Sequence, residues 1–359
     1  MSDTVPTGVV GHRQHNTEAT SASLRFWARS IGDRNPCFVQ EGYRSAIGGP
    51  GFRAHPCWLY SVQDTIVSVG RKGFRPVIAG SDWHFARAVR VGERLVSTVR
   101  LLSETPKRSR FGGDAFIQKV EVVYTDHLGV TVATCVSTLF RIAPGQARAQ
   151  AKFQDWRRYR YTEAELIAIE ADYDRETAGG TAPLHWDDVS DGDALPRIVR
   201  GPLSSEEIVL FVGATCPSPG GSAFTVARAD GDDDAFIHPR TGTYESFAAG
   251  LIDDESARQM GFPAAHDLGI DRLSQAASLV TNWMGDTGVL HHLSISLLEP
   301  NMHGDTTWFE GTVVGRCRGS ARTGTIEIEL RGVNQRHAIT VAGHARVELP
   351  LRHIATPPS

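Results

Sequence analysis

Lysine is almost missing from this chain: of 37 basic residues only Lys72, Lys107, Lys119 and Lys152 are lysine. A GC-rich coding sequence accounts for that bias. The formal net charge of -4 argues against a general nucleic-acid binder, which would need a clustered basic excess. Long apolar runs are missing too, which leaves no candidate for a membrane-crossing helix. The opening residues, MSDTVPTGVVGHRQHNTEAT, lack the charged-then-apolar order of a secretory signal. They predict a flexible arm over 1–20 on a soluble, cytoplasmic protein. Cysteine is scarce and scattered: Cys37, Cys57, Cys135, Cys216 and Cys317 form no C-x-x-C pair, which speaks against a zinc site and a disulfide framework.

Several catalytic signatures are also lacking. No G-x-S-x-G elbow is present, which argues against an α/β-hydrolase. Gly48-Gly49-Pro50-Gly51 has no Gly-Lys-Ser/Thr after it and is no phosphate loop. Asp230-Gly231-Asp232-Asp233-Asp234 lacks the spacing of a calcium loop. His12 and His15 lie in the polar arm, and the adjacent His291 and His292 would face opposite sides of a strand, so neither pair predicts a shared metal ion. No motif implies a nicotinamide, a flavin or a metal.

What is present is a well-patterned globular chain. With 359 residues, 41% of them hydrophobic, it can bury one large core or two ordinary ones. Leu24, Trp27, Ala28 and Ile31 form a helical stripe over 21–32, followed by a turn-rich segment and a buried helix from Cys57 toward Val69. Strands fill Val77 to Arg141, where Val120, Val122 and Tyr124 alternate with polar residues. A polar linker over 146–185 carries one helix, opened by the capping pair Thr162 and Glu165.

The pattern then restarts. Pro202–Glu207 opens a helix through Ile208 and Phe211, and a long insertion at about 215–265 has the length of an active-site lid. Leu273, Ala276, Ala277 and Val280 mark a second buried helix. In the final strands Ile326, Ile328 and Leu330 alternate with Thr325, Glu327 and Glu329. Both meanders contain a Gly-acid turn before a strand, Gly92-Glu93 and Gly304-Asp305. The expected fold is therefore α+β and duplicated, with units at 21–145 and 186–359, each an antiparallel sheet wrapped round a long central helix.

Gly32-Asp33-Arg34-Asn35-Pro36-Cys37-Phe38 resembles the G-D-x-N-P-x-H loop of the MaoC-like R-specific enoyl-CoA hydratases and acyl dehydratases. Gly80-Ser81-Asp82-Trp83, Trp186-Asp187-Asp188-Val189, Thr281–Asp286 and Asn334-Gln335-Arg336 extend the likeness over nearly the whole chain. They are similar to the double hot-dog branch with a FAS1-like dehydratase N-terminal unit. The resemblance implies a lyase acting on a small acyl substrate held as a CoA or carrier-protein thioester. A homodimer or a hot-dog partner subunit is left open.

Hydrating an enoyl thioester needs a base for water, an acid for the α-carbon and donors for the enolate oxygen. In the family the loop Asp and His do the proton work while the loop Asn shapes the turn; the resemblance carries the Asp role onto Asp33 and the Asn role onto Asn35. Phe38 stands where the family has His. The second half resembles the stretch G-H-x-D…A-R…G-x-P, with Leu251 at its His position and Asp253 at its Asp. His266, beside Asp267 and before Gly269, is the candidate substitute; a His that merely caps or packs a helix start is its structural alternative. Asp33, Asp253 and His266 are thus the catalytic candidates. Asn35, Phe38, His55, Trp58, Leu251, Asp267 and Gly269 are the candidate substrate-binding residues, with His55 the pseudo-equivalent of His266. Apolar Phe38 and Leu251 would favour a bulky acyl group. His84, beside Trp83 on a strand, reads as structural. Three readings remain open: a hydro-lyase with a rearranged site, a hot-dog enzyme repurposed for dehydration, cyclisation or isomerisation in secondary metabolism, and a non-catalytic subunit.

Overall fold

Ile326, Ile328 and Leu330 are buried while Glu329 between them is exposed, so the alternation read from sequence becomes a strand with one dry face. The computed structural model describes residues 9–10, 14–45, 51–63, 74–109, 113–142, 153, 155–176, 183–215, 235–320 and 322–352. In chain order the strands are β1 (Val9–Val10), β2 (Arg75–Phe85), β3 (Leu95–Ser109), β4 (Gly113–Asp126), β5 (Thr131–Ile142), β6 (Ile198–Arg200), β7 (Ala235–Ile237), β8 (Tyr244–Ser246), β9 (Val289–Leu297), β10 (Thr307–Arg318), β11 (Thr323–Asn334) and β12 (Ile339–Pro350). The helices are α1 (Ser21–Ser30), α2 (Pro36–Val39), α3 (Leu59–Val62), α4 (Glu163–Arg175), α5 (Ser205–Thr215), α6 (Asp254–Gln259) and α7 (Ile270–Met284). None of the described helices is long and apolar enough to cross a membrane.

One antiparallel sheet of ten strands runs β1-β3-β4-β5-β2-β9-β12-β11-β10-β6. Outward from the β2–β9 seam, both directions meet the strands of a unit in the same sequence: first, fourth, third, second, then a short outlier. This is the duplicated α+β architecture, a double hot dog. The two Gly-acid turns are copies in detail. Gly92 and Gly304 both have positive φ, at +84° and +90°. Gly92 N donates to Ala19 O and Ala19 N to Glu93 O, while Gly304 N donates to Leu203 O and Leu203 N to Asp305 O.

Helix α7 is the sausage within the sheet. It is buried on every face over most of its length and packs against β2, β9, β10, β12 and the 3-10 turn Pro56–Trp58. Of the first buried helix, the described part is that turn and α3; residues 64–73 lie outside the described residues. Helices α1 and α5 pack together, with Trp27 and Phe211 at 5.4 Å between ring centroids.

The first connecting stretch differs from its sequence reading. Residues 14–20 are no loose arm: His15 N and Asn16 N donate to Val62 O and Ser61 O, and Ala19 is fully buried. The described part of the linker docks on the second unit. There Asp172 pairs with Arg197 and accepts from Trp308 Nε1, and Tyr161 Oη donates to Gly304 O. The capping box on α4 forms as predicted, from Thr162 and Glu165. Of the insertion, β7, β8 and α6 are described; residues 216–234, with Cys216 and the whole Asp230–Asp234 run, lie outside the described residues, as do His12 and Gly48–Pro50.

Candidate active site

The loop 32–38 is set by its own side chains. Helix α1 ends at Gly32, with φ +71°, and Asp33 N reaches back to Ala28 O at 2.9 Å. Asp33 Oδ1 accepts from Asn35 N at 2.8 Å, an Asx turn. Asn35 caps α2 by accepting from Cys37 N, and Pro36 occupies the first helical position, where its missing N–H costs nothing. Asn35 then reaches across to the second unit, donating to Thr281 O at 3.4 Å and Asn282 Oδ1 at 3.1 Å. Tyr43 Oη donates to Asp286 Oδ2 at 3.1 Å. The Thr281–Asp286 stretch therefore clamps a loop of the other half.

Beside this loop stands His55. Its Nδ1 accepts from Cys57 N at 3.2 Å, which caps the 3-10 turn and assigns the ring proton to Nε2. Nε2 faces Ser278 Oγ at 3.4 Å and Asp33 Oδ2 at 3.9 Å. Ser278 Oγ in turn lies 3.4 Å from Ser274 O, so its hydroxyl donates there and accepts from the imidazole. His55 is 0% exposed and Asp33 1%. Asp33 Oδ2 has no hydrogen-bond partner. Burial raises the Asp33 carboxyl above its ordinary value, against the Asn35 N–H, Ser278 and the Arg200 charge. Burial also pushes the His55 imidazole down to about 3, so the ring is neutral at physiological pH.

Phe38 occupies the place predicted for His, and its ring meets the His55 ring edge-on at 5.2 Å. The imidazole that stands beside Asp33 is therefore that of His55, packed against Phe38. His266 is held by other partners, with its Nε2 buried and unpartnered. Its Nδ1 bonds Asp267 O at 2.8 Å, and its ring lies on Phe262 at 4.0 Å.

Nor is Asp253 free. It caps α6 through Ser256 N at 2.6 Å and pairs with His238 and Arg240 at 3.2 and 3.1 Å. Partial burial opposes ionisation, but the Ser256 bonds and His238 hold its carboxyl down at about 2. Leu251 is buried in a cluster with Leu203 and Ile208. Asp267 is locked to Arg272 at 2.6 Å. Gly269 precedes α7 where a Cβ would come within 2.5 Å of Ile78 Cγ2. Trp58 is fully buried, with its Nε1 unpartnered.

Sequence reasoning missed Ser278, Asp271 and Arg200. Asp271, Gln275, Ser278 and Asn282 recur at helical spacing, a polar stripe on a helix that is otherwise buried all round. That stripe was visible beside the apolar one and is the signal for a site. Asp271 is held protonated more readily than usual by its burial and by neighbouring acids, and accepts from Gln275 Nε2 at 2.9 Å. Arg200 bonds Ile31 O at the end of α1 and pairs with Glu176 at 2.8 Å, both groups buried.

Comparison with known proteins agrees with this architecture. Residues 8–135 match the family model of the FAS1-like, dehydratase domain region. No curated protein sequence matches the chain. Among solved structures it is similar to a MaoC-like dehydratase, with 17% identity, TM-score 0.62, and 95% of this chain and 98% of that one covered. A MaoC domain protein dehydratase from Chloroflexus aurantiacus J-10-fl shares 12% identity at TM-score 0.59, covering 97% and 95%. A conserved protein of Mycobacterium tuberculosis described as having a double hotdog fold shares 13% at TM-score 0.58, covering 97% of each chain. The chain has the double hot-dog fold, and residues 8–135 of it are similar to the FAS1-like dehydratase domain region.

Proposed function

We propose that the protein is a hydro-lyase that adds water to an enoyl thioester, or removes it from a 3-hydroxyacyl thioester, with Asp33 and His55 as its working pair. The observation that carries this is the closed pair itself: Asp33 Oδ2 unpartnered, and His55 Nε2 at 3.9 Å, both side chains buried. That spacing is too long for a direct hydrogen bond and suits two groups that share one reacting oxygen.

The roles follow from protonation. Neutral His55 carries its proton on Nε2, where a substrate oxygen would compete with Ser278 Oγ, and its other nitrogen is occupied, so it can hold an oxygen but cannot take a proton there. Asp33, with its raised pKa, is the group that moves protons. In hydration its carboxylate takes a proton from water as the oxygen bonds to the β-carbon, and the carboxyl returns a proton to the α-carbon. Dehydration is the same path reversed. Water exclusion around the pair strengthens both contacts. Asn35 and Asn282 hold the loop against α7, so each unit contributes to one site.

The test is hydration of trans-2-enoyl-CoA and enoyl-carrier-protein thioesters, from short to bulky, by the purified chain. Asp33→Asn is expected to lower kcat/KM by about 10²–10⁴-fold. His55→Ala should lower it by a similar order, whereas Asp253→Asn and His266→Ala should leave turnover within a few-fold of the parent. Loss of activity in His266→Ala with His55→Ala unchanged would overturn the assignment. A folded parent silent across the whole panel would remove the thioester reading altogether.

A further inference from the structure

A second cluster of chemistry-bearing side chains lies on the outer face of the sheet, at the β2–β9 seam. On β2, Trp83 points into the core and is fully buried, so Asp82 and His84 flank it on the opposite face. His84 stands directly across from His292 on β9. Their rings stack at 4.6 Å between centroids. Both Nε2 atoms converge on a single carboxylate oxygen: His84 Nε2 is 3.3 Å and His292 Nε2 3.2 Å from Asp82 Oδ1.

A bulge produces this arrangement. The β9–β12 register shifts at His291, and Leu290 and Leu293 on either side of the two histidines are both buried. His291 and His292 therefore do not alternate between faces as their adjacency in an ideal strand would require. His291 lies near Glu348 at 3.9 Å, and His292 is turned toward the seam. His344 is close by, but its Nε2 is engaged by Glu327 at 2.9 Å and stays out of the donor set.

We propose that Asp82, His84 and His292 form a binding site for a divalent transition metal ion of the zinc type, joining the two hot-dog units across their seam. The three ligand atoms all lie within 4.8 Å of one another. Two of the three separations match the edge of a tetrahedral zinc site, where ligands at ~2.0–2.2 Å from the ion stand about 3.4 Å apart. Two imidazoles and one carboxylate are a donor set for zinc, cobalt or nickel rather than for calcium or magnesium. The strands fix all three Cα positions, so little ordering is needed. The open side of the cluster leaves a fourth position for water. Nothing in the Asp33–His55 pair depends on this ion.

Tag-free, EDTA-stripped full-length protein titrated with zinc chloride by calorimetry tests the proposal, with cobalt absorption as an independent readout. One equivalent per chain is expected, with visible cobalt bands of tetrahedral intensity and a zinc-dependent rise in Tm. His84→Ala and His292→Ala should each weaken binding by at least about tenfold and abolish the Tm shift. His344→Ala should change affinity far less. Absence of zinc heat and cobalt bands in the folded parent would overturn the site. Undiminished binding by the folded double variant His84→Ala/His292→Ala would overturn it as well, assigning the ion to other side chains.

Discussion

His55 shows how a catalytic-type pair can hide from a motif. The loop 32–38 was legible because its turn is local: Asp33 bonds Asn35 N, Asn35 bonds Cys37 N, and Pro36 starts α2. His55 was legible as a binding candidate, but its pairing with Asp33 was not, because that approach depends on two segments packing together rather than on spacing along one. The pair also has a pH signature. In the unfolded chain His55 takes a proton near 6.5, in the fold only near 3. Below 6.5 the unfolded state thus binds a proton the native state refuses, and stability falls as pH drops toward 3. A His55→Gln variant should show a flatter decline of its urea midpoint between pH 6.5 and 4 than the parent. An unchanged slope would count against the buried neutral ring. Phe38 shields that ring, and Phe38→Ala should cost about 3–5 kcal/mol of unfolding free energy by chemical denaturation.

Among the elements, α4, α5 and α7 could be read from caps and periodicity, as could β11 from its strict alternation. The polar stripe of α7 was harder, since Ser and Asn on a helix ordinarily mean solvent; only full burial makes Ser278 a site residue. The bulge at His291 has no sequence signature at all, because it arises from register against β12. At the seam, Gly80 lies against the Ile295 carbonyl and has no room for a side chain. Gly80→Ala should therefore destabilise the chain by ~1–3 kcal/mol, read as a lowered Tm, since backbone on both strands must shift. Thr162→Ala, remote from the pair, should cost about 1 kcal/mol through loss of the α4 cap while leaving thioester hydration unchanged.

For the whole molecule, the duplication was visible in the order of elements and the paired Gly-acid turns, but the joining of both meanders into one sheet was not. Strand pairing between distant segments is decided by tertiary packing. The candidate site shares that dependence: Asp33 and His55 come from one unit, Ser278 and Asn282 from the other. A chain cut after residue 148 should hydrate enoyl thioesters only when both fragments are co-expressed, and either fragment alone should be inactive. Activity from the first fragment by itself would refute a shared site.

Two identical subunits meeting about a two-fold axis must carry every substitution twice, once in each copy of a site. Joining β2 to β9 within one chain removes that constraint. One half can then hold an acid beside an imidazole while the other uses an acid, Asp253, as a helix cap. The single polypeptide thus frees each half to vary separately: Asp33 is buried beside an imidazole, while Asp253 caps a helix.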